Sequence, residues 1–159
     1  MAKKKKNIFA QIVANYVICD LDGTLSDDSH RKEYARRGEW DAYHKRLGGD
    51  IVSMPVFRLL LAMKASGFRN IVLTGRPDRY RVATMEWMER ETVAAVIDGL
   101  LMRDDDDYSP AHELKPKMLA EMLGDKANQR VLFILEDTEK VVRAWRLLGY
   151  KVFQVGDGA

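Results

Sequence analysis

Cysteine is nearly absent: Cys19 is the only one in 159 residues. That excludes an internal disulfide and any multi-cysteine zinc site, and a reducing, cytoplasmic compartment is the expectation. Histidine is almost as scarce, and His30, His44 and His112 are too scattered to suggest a metal centre. No long uncharged apolar run occurs, so no membrane span is expected. A secretory leader is not expected either. The basic Lys3–Lys6 cluster is followed by a short, polar-interrupted stretch from Asn7 to Asn15 without a convincing cleavage site. No internal repeat or low-complexity linker is visible, and nothing in the sequence sets an oligomeric state.

An excess of one charge is missing too. The formal net charge is +2, and four of the 26 basic residues are Lys3–Lys6. Without them the chain carries slightly more acid than base, so bulk charge is weak evidence for a nucleic-acid partner. Residues 1–15 read as a solvated, flexible basic terminus.

What is present is enough apolar residue, 47%, for one domain over 16–159 with a real core. The stretch Tyr16-Val17-Ile18-Cys19-Asp20-Leu21-Asp22-Gly23-Thr24 organises it. Its first half is a buried strand. The strand ends on two carboxylates, with Gly23 set to break it, and two acids so close require a counter-charge. Mg²⁺, bound by hard oxygen ligands, is the simplest one.

Further along, residues 30–47 read as one or two short exposed helices closed by Gly48-Gly49. Pro55 opens an amphipathic helix with Val56, Leu59, Leu60 and Met63 on one face. Residues 70–74 form a second buried strand, broken by Gly75-Arg76-Pro77. A helix over 80–91 places Val82, Met85, Trp87 and Met88 inward. A short strand covers Gly99 to Met102, a loop runs from Arg103 to Pro110, and Lys115-Pro116-Lys117 opens a helix to Leu123. Val131 to Leu135 is the most apolar strand and ends on Glu136-Asp137. A helix over 138–148 and a strand over 151–155 finish the chain. Strands alternating with helices predict a mostly parallel sheet flanked by helices.

Three apolar strands therefore end in polar residues: Asp20/Asp22, Thr74-Gly75-Arg76 and Glu136/Asp137. A parallel sheet puts all three ends on one edge, where α/β folds bind ligands. A carboxylate there can attack phosphorus, and a second can act as acid and then base. A hydroxyl, backbone N–H groups and a lysine can hold phosphoryl oxygens.

With Lys115 or Lys117 added, these segments resemble, in order, the four motifs of the haloacid dehalogenase-like phosphatase superfamily. The likeness covers nearly everything from Tyr16 onward and implies a Rossmann-like fold with only a small helical cap insertion at 24–54. It implies Asp20 as nucleophile, Asp22 as general acid/base, Thr74 and Gly75 on phosphate, and a lysine steadying both. It implies Mg²⁺ held by Asp20, Glu136, Asp137 and Asp22, the last through its carbonyl. Thr74-Gly75-Arg76-Pro77, Tyr80-Arg81, Met102-Arg103, His112-Glu113-Leu114-Lys115 and the 136–146 segment are also similar to the 3′-phosphatase domain of phage polynucleotide kinase. That likeness implies that Arg31 and Arg76 engage substrate, with nucleic-acid 3′-phosphate ends or nucleotides as the partners. It also favours Lys115 over Lys117. Two departures stand out. No Gly-x-x-x-x-Gly-Lys-Ser/Thr loop is present, and Ala111 stands where an acid usually precedes the lysine, with Glu113 a possible substitute.

Short insertions imply an open site. An acidic loop at Asp104–Asp107 would steer a nucleic acid toward the Arg31/Arg76 side, and Trp40 and Tyr43 are candidates to stack on a base. The expected activity is removal of 3′-phosphates in nucleic-acid end repair. The alternatives are a small-molecule nucleotidase using the same residues, or an idle end-binding module. The module predicts loss of Asp20 or Asp22, and both are retained.

Overall fold

The computed structural model describes residues 14–156. The basic cluster Lys3–Lys6, and with it the predicted flexible terminus up to residue 13, lies outside the described residues. A five-stranded parallel sheet forms the centre, in the order β5-β4-β1-β6-β7. Its strands are β1 (Tyr16–Cys19), β4 (Arg69–Pro77), β5 (Gly99–Arg103), β6 (Val131–Glu136) and β7 (Val152–Gln154). Strands β2 (Ser26–Asp27) and β3 (Ile51–Val52) pair antiparallel beside it. The helices are α1 (Lys32–Arg36), α2 (Trp40–Lys45), α3 (Met54–Ala65), α4 (Arg81–Arg90), α5 (Ala111–Leu123), α6 (Ala127–Arg130) and α7 (Glu139–Leu147). Among the described residues, no helix is long and apolar enough to cross a membrane.

Strand alternation divides the core into two layers. Tyr16 and Ile18 of β1 join Leu119 of α5 and Val141, Val142 and Trp145 of α7 on one face. Val17 and Cys19 join Val56 and Leu60 of α3 and Trp87 and Met88 of α4 on the other. Both faces are covered, which is why the central strands are apolar throughout rather than alternating.

Four local expectations are corrected. Strand β4 does not stop at Gly75. It runs to Pro77 across an irregularity in which Thr74 pairs with Met102 and Pro77 with Arg103. Gly75-Arg76 is the extra length, and such bulges re-aim side chains. In α4, Val82 is 69% exposed and Met85 is also exposed, while Thr84, Trp87 and Met88 face inward. The i, i+3, i+4 spacing of those three defines the true inner stripe, and Thr84 belongs to it because it serves a buried arginine, below.

Helix α5 begins at Ala111, with the N–H groups of Glu113 and Leu114 donating to the Pro110 carbonyl. Pro116 is therefore inside the helix, and Lys115 sits more than one turn in. Finally, the cap segment is not simply exposed. Arg31, Tyr43, His44 and Leu47 are buried, because this segment folds down over the carboxyl edge of the sheet.

Candidate active site

Asp20 follows the last residue of β1, and its N–H donates to the Leu135 carbonyl of β6 at 2.9 Å. Its carboxylate is nearly enclosed. Thr24 Oγ1 donates to Oδ2 at 2.9 Å, and Lys115 Nζ donates to Oδ1 at 2.6 Å. The same ammonium donates to Glu136 Oε2 at 2.6 Å, and the Thr138 N–H donates to Glu136 Oε1 at 3.2 Å. Lys115 is thus the lysine delivered to the site. Lys117, 63% exposed at its side chain, lies 3.7 Å from Asp107 instead. Glu113 is exposed and does not replace the acid missing at Ala111; its carboxylate lies 3.5 Å from His112 Nε2.

Asp20, Glu136 and Asp137 each offer a carboxylate oxygen within 4.8 Å of the others. Burial, then the Glu136 charge, pushes the Asp20 carboxyl up, against the pull of Lys115. Burial likewise raises Glu136. Burial would lower Lys115, but Asp20 and Glu136 more than reverse that and keep it charged. Three acids against one lysine leave an excess of negative charge that a divalent cation would relieve.

Gly23 is shaped to the same purpose. Its φ is +84°, and a Cβ there would lie 2.3 Å from Asp137 Oδ2. Only glycine lets the backbone after Asp22 come this close to an acid oxygen. The donor set and this close approach fit a Mg²⁺ ion held by oxygen ligands.

Asp22 does not share that cluster. Its carboxylate turns away and accepts from Arg31 Nη2 at 2.5 Å and from Arg76 Nη2. Thr74 Oγ1 is 3.5 Å from Asp22 Oδ2 and accepts the Arg76 N–H at 3.1 Å. The expectation that one cation would offset both Asp20 and Asp22 is corrected here: guanidinium groups offset Asp22. Burial alone would raise this carboxyl, but Arg76 and Arg31 hold it well below the usual carboxylate range.

Both arginines are themselves buried, Arg31 at 0% and Arg76 at 1% exposure. Arg31 donates through Nε and Nη2 to both oxygens of Asp50, at 2.6 and 2.5 Å. It also lies 4.0 Å over the Tyr43 ring. Arg76 Nη1 donates to Thr84 Oγ1 at 2.9 Å, and its Nη2 is 3.7 Å from Asp50. His30 Nε2 closes on Asp50 Oδ1 at 3.0 Å. Tyr43, expected to stack on a base, instead packs against Arg31. Asp50 and Thr84 escaped the sequence reading, and Thr24, though part of the first motif, was assigned no role there. Thr24, four residues after Asp20, was the one with a local signal. Asp50 acts across 19 and 26 residues of sequence, and no motif announces it.

A cavity of about 720 Å³ opens at the carboxyl edge of the sheet, with Asp20, Asp22, Thr74, Arg76, Lys115 and Asp137 in its wall, while Arg31, Asp50 and Thr84 are not part of that wall. The family of the polynucleotide kinase PNKP phosphatase domain matches residues 14–159. The chain belongs to this family. As a PNKP-type phosphatase domain it is a hydrolase of the haloacid dehalogenase-like superfamily.

Among solved structures, the Pnkp1/Rnl/Hen1 RNA repair complex contains a chain 33% identical. The match covers 91% of this PNKP-type domain and 43% of that chain, with a TM-score of 0.76. A second structure of the Pnkp1/Rnl/Hen1 complex gives 32% identity, 92% and 47% coverage and a TM-score of 0.77. The PNKP-type domain therefore spans less than half the length of these two relatives. A hydrolase from Streptococcus pneumoniae TIGR4, 15% identical with a TM-score of 0.60 over 91% of this chain and 94% of that one, shares the fold. No curated protein matches.

Proposed function

We propose that this domain is a Mg²⁺-dependent phosphomonoesterase that removes 3′-phosphates from nucleic-acid ends through a phosphorylated Asp20. The observation that carries the reading is the Asp20 carboxylate itself. It lines an open cavity, is oriented by Lys115 and Thr24, and lies beside Asp137 and the phosphate-binding candidates Thr74, Gly75 and Arg76. That a relative with 33% identity belongs to an assembly described as an RNA repair complex supports polynucleotide ends over free nucleotides.

In the first step an Asp20 oxygen bonds to phosphorus as the bond to the 3′ oxygen breaks, and Asp22 gives that oxygen a proton. In the second, Asp22 takes a proton from water. The water oxygen bonds to phosphorus, Asp20 is released, and inorganic phosphate leaves. Lys115 favours the ionised form of the nucleophile and offsets charge on the phosphoryl oxygens. Asp20, Asp137 and the Asp22 carbonyl would hold Mg²⁺. When bound, the ion supplies positive charge against the carboxylates and the phosphoryl group. Both oxygens of Glu136 have hydrogen-bond partners, and its main work is to aim Lys115.

Arg31, Arg76 and Thr74, the side chains assigned to substrate, all hold Asp22 in this state. A phosphoryl group carries more charge than one carboxylate and has three acceptor oxygens, so it competes for the same donors. Released from them, Asp22 is free to take up the proton the first step needs.

A 3′-phosphorylated oligonucleotide assayed beside mononucleotides tests the substrate. Phosphate release from the oligonucleotide, lost in chelator and restored by Mg²⁺, is expected. Brisk turnover of mononucleotides with none of the oligonucleotide would make the domain a nucleotidase. Gly23→Ala tests the ion separately. Forcing a side chain to positive φ costs about 1–2 kcal/mol, and its Cβ displaces Asp137. The rise in melting temperature that Mg²⁺ produces in the parent should shrink by more than half. A rise as large as the parent's would remove Asp137 from the ligand set.

A further inference from the structure

Tyr108 is 88% exposed, yet its backbone is pinned. Arg103 Nη1 donates to the carbonyls on both sides of it, Asp107 at 2.9 Å and Ser109 at 2.6 Å, while Arg103 Nε donates to Gly75 O at 2.8 Å. Ser109 N–H also donates to Asp107 Oδ1 at 2.8 Å. One guanidinium thus ties this loop to Gly75, a phosphate-binding candidate, and presents an aromatic ring to the cavity that Asp20 lines. Trp40, on α2, lines the same cavity and is 56% exposed. Its ring stacks on His44 at 6.4 Å and meets the edge of Tyr43 at 5.8 Å. Burial holds the His44 imidazole down at about 4, so this backing is uncharged at neutral pH.

The charges around the two rings differ from the sequence expectation of a repelling acidic loop. Arg79 N–H donates to Asp105 Oδ1 at 2.8 Å, and its guanidinium lies 3.7 Å from Asp105 and 3.8 Å from Asp41. Lys117 pairs with Asp107. Lys32 and Arg36 of α1, also in the cavity wall, are paired with Asp28 at 3.6 Å and Glu33 at 3.4 Å. Half of the acidic loop is thereby offset, and charges on the cap side are paired as well.

Resting on the phosphatase reading, we propose that Trp40 and Tyr108 form a seat for the base of the 3′-terminal nucleotide. Aromatic faces stack on any base, so the seat tolerates sequence. A base held there has left its partner, so the substrate it selects is an unpaired 3′ end. Trp40 and Tyr108 are then specificity residues, acting on the leaving group and not on phosphorus.

Two single-stranded oligonucleotides with a 3′-phosphate test this, one with a normal terminal nucleotide and one whose terminal sugar lacks its base. With Mg²⁺ and the full chain, the parent should show kcat/KM for the normal strand higher by on the order of 10-fold or more, the scale of one base stacked on an aromatic ring. Tyr108→Ala and Trp40→Ala should each shrink that ratio, chiefly through KM, and the double variant should bring it close to one. A blunt duplex bearing the same 3′-phosphate should be turned over more slowly than the single strand by the parent. Equal kcat/KM for the two strands, or a ratio untouched by the double variant, overturns the base seat while leaving the phosphatase reading intact. Turnover of neither strand removes both.

Discussion

Replacing Asp20 by asparagine is expected to lower turnover by on the order of 10⁴-fold or more, the scale seen when a catalytic nucleophile is removed. An amide oxygen is a poor nucleophile, and the neighbouring carboxylates are committed elsewhere. Glu136 is occupied by Lys115 and Thr138, and Asp22 by two arginines. The fold should persist, because asparagine keeps the shape, its oxygen still accepts from Lys115, and its amide nitrogen can donate to the Thr24 hydroxyl. Circular dichroism and urea unfolding of the variant check that part. Turnover at the parental rate would remove Asp20 from the role of nucleophile.

Asp50→Asn is expected to have the largest effect on stability. Arg31 and Arg76 are fully buried, and Asp22 and Asp50 are the acids that face them. Removing one charge leaves a buried cation uncompensated, which typically costs about 3–5 kcal/mol. For a domain whose total stability is about 5–15 kcal/mol, that is a large share. The urea midpoint should fall accordingly. Phosphatase activity should fall with it even under conditions where the variant is folded, because Arg31 loses the bidentate contact that aims its guanidinium at the site. A change under about 1 kcal/mol, well below the usual cost of breaking a buried ion pair, would show that water or Asp22 alone satisfies the arginines.

The site was legible where chemistry coincides with a strand end. The ends of β1, β4 and β6 announce Asp20, Thr74 and Glu136-Asp137, because an apolar run that stops on polar residues leaves little choice of edge. The parallel sheet and the two-sided core follow from the same runs. What stayed hidden depends on contacts through space. Asp50 reaches Arg31 and Arg76 only once the cap segment folds over the sheet. The orientation of Asp22 was hidden for the same reason, since two acids one residue apart look alike until Gly23 turns the backbone toward Asp137. Thr84 displaced Val82 from the inner stripe of α4 because a buried guanidinium needed an acceptor. Helix α5 began four residues early because the carbonyl of Pro110 already caps it, so the Lys-Pro pair that looked like a start lies within it.

The central claim is that Asp20 becomes covalently phosphorylated. Mixing the domain with an oligonucleotide carrying a radioactive 3′-phosphate and Mg²⁺, then quenching in acid within one turnover, tests it directly. The label is expected on the protein, released by hydroxylamine as an acyl phosphate would be, on the peptide that contains Asp20, and absent from Asp20→Asn. Full phosphate release with no label on the protein at any time, or label that persists in Asp20→Asn, would contradict it.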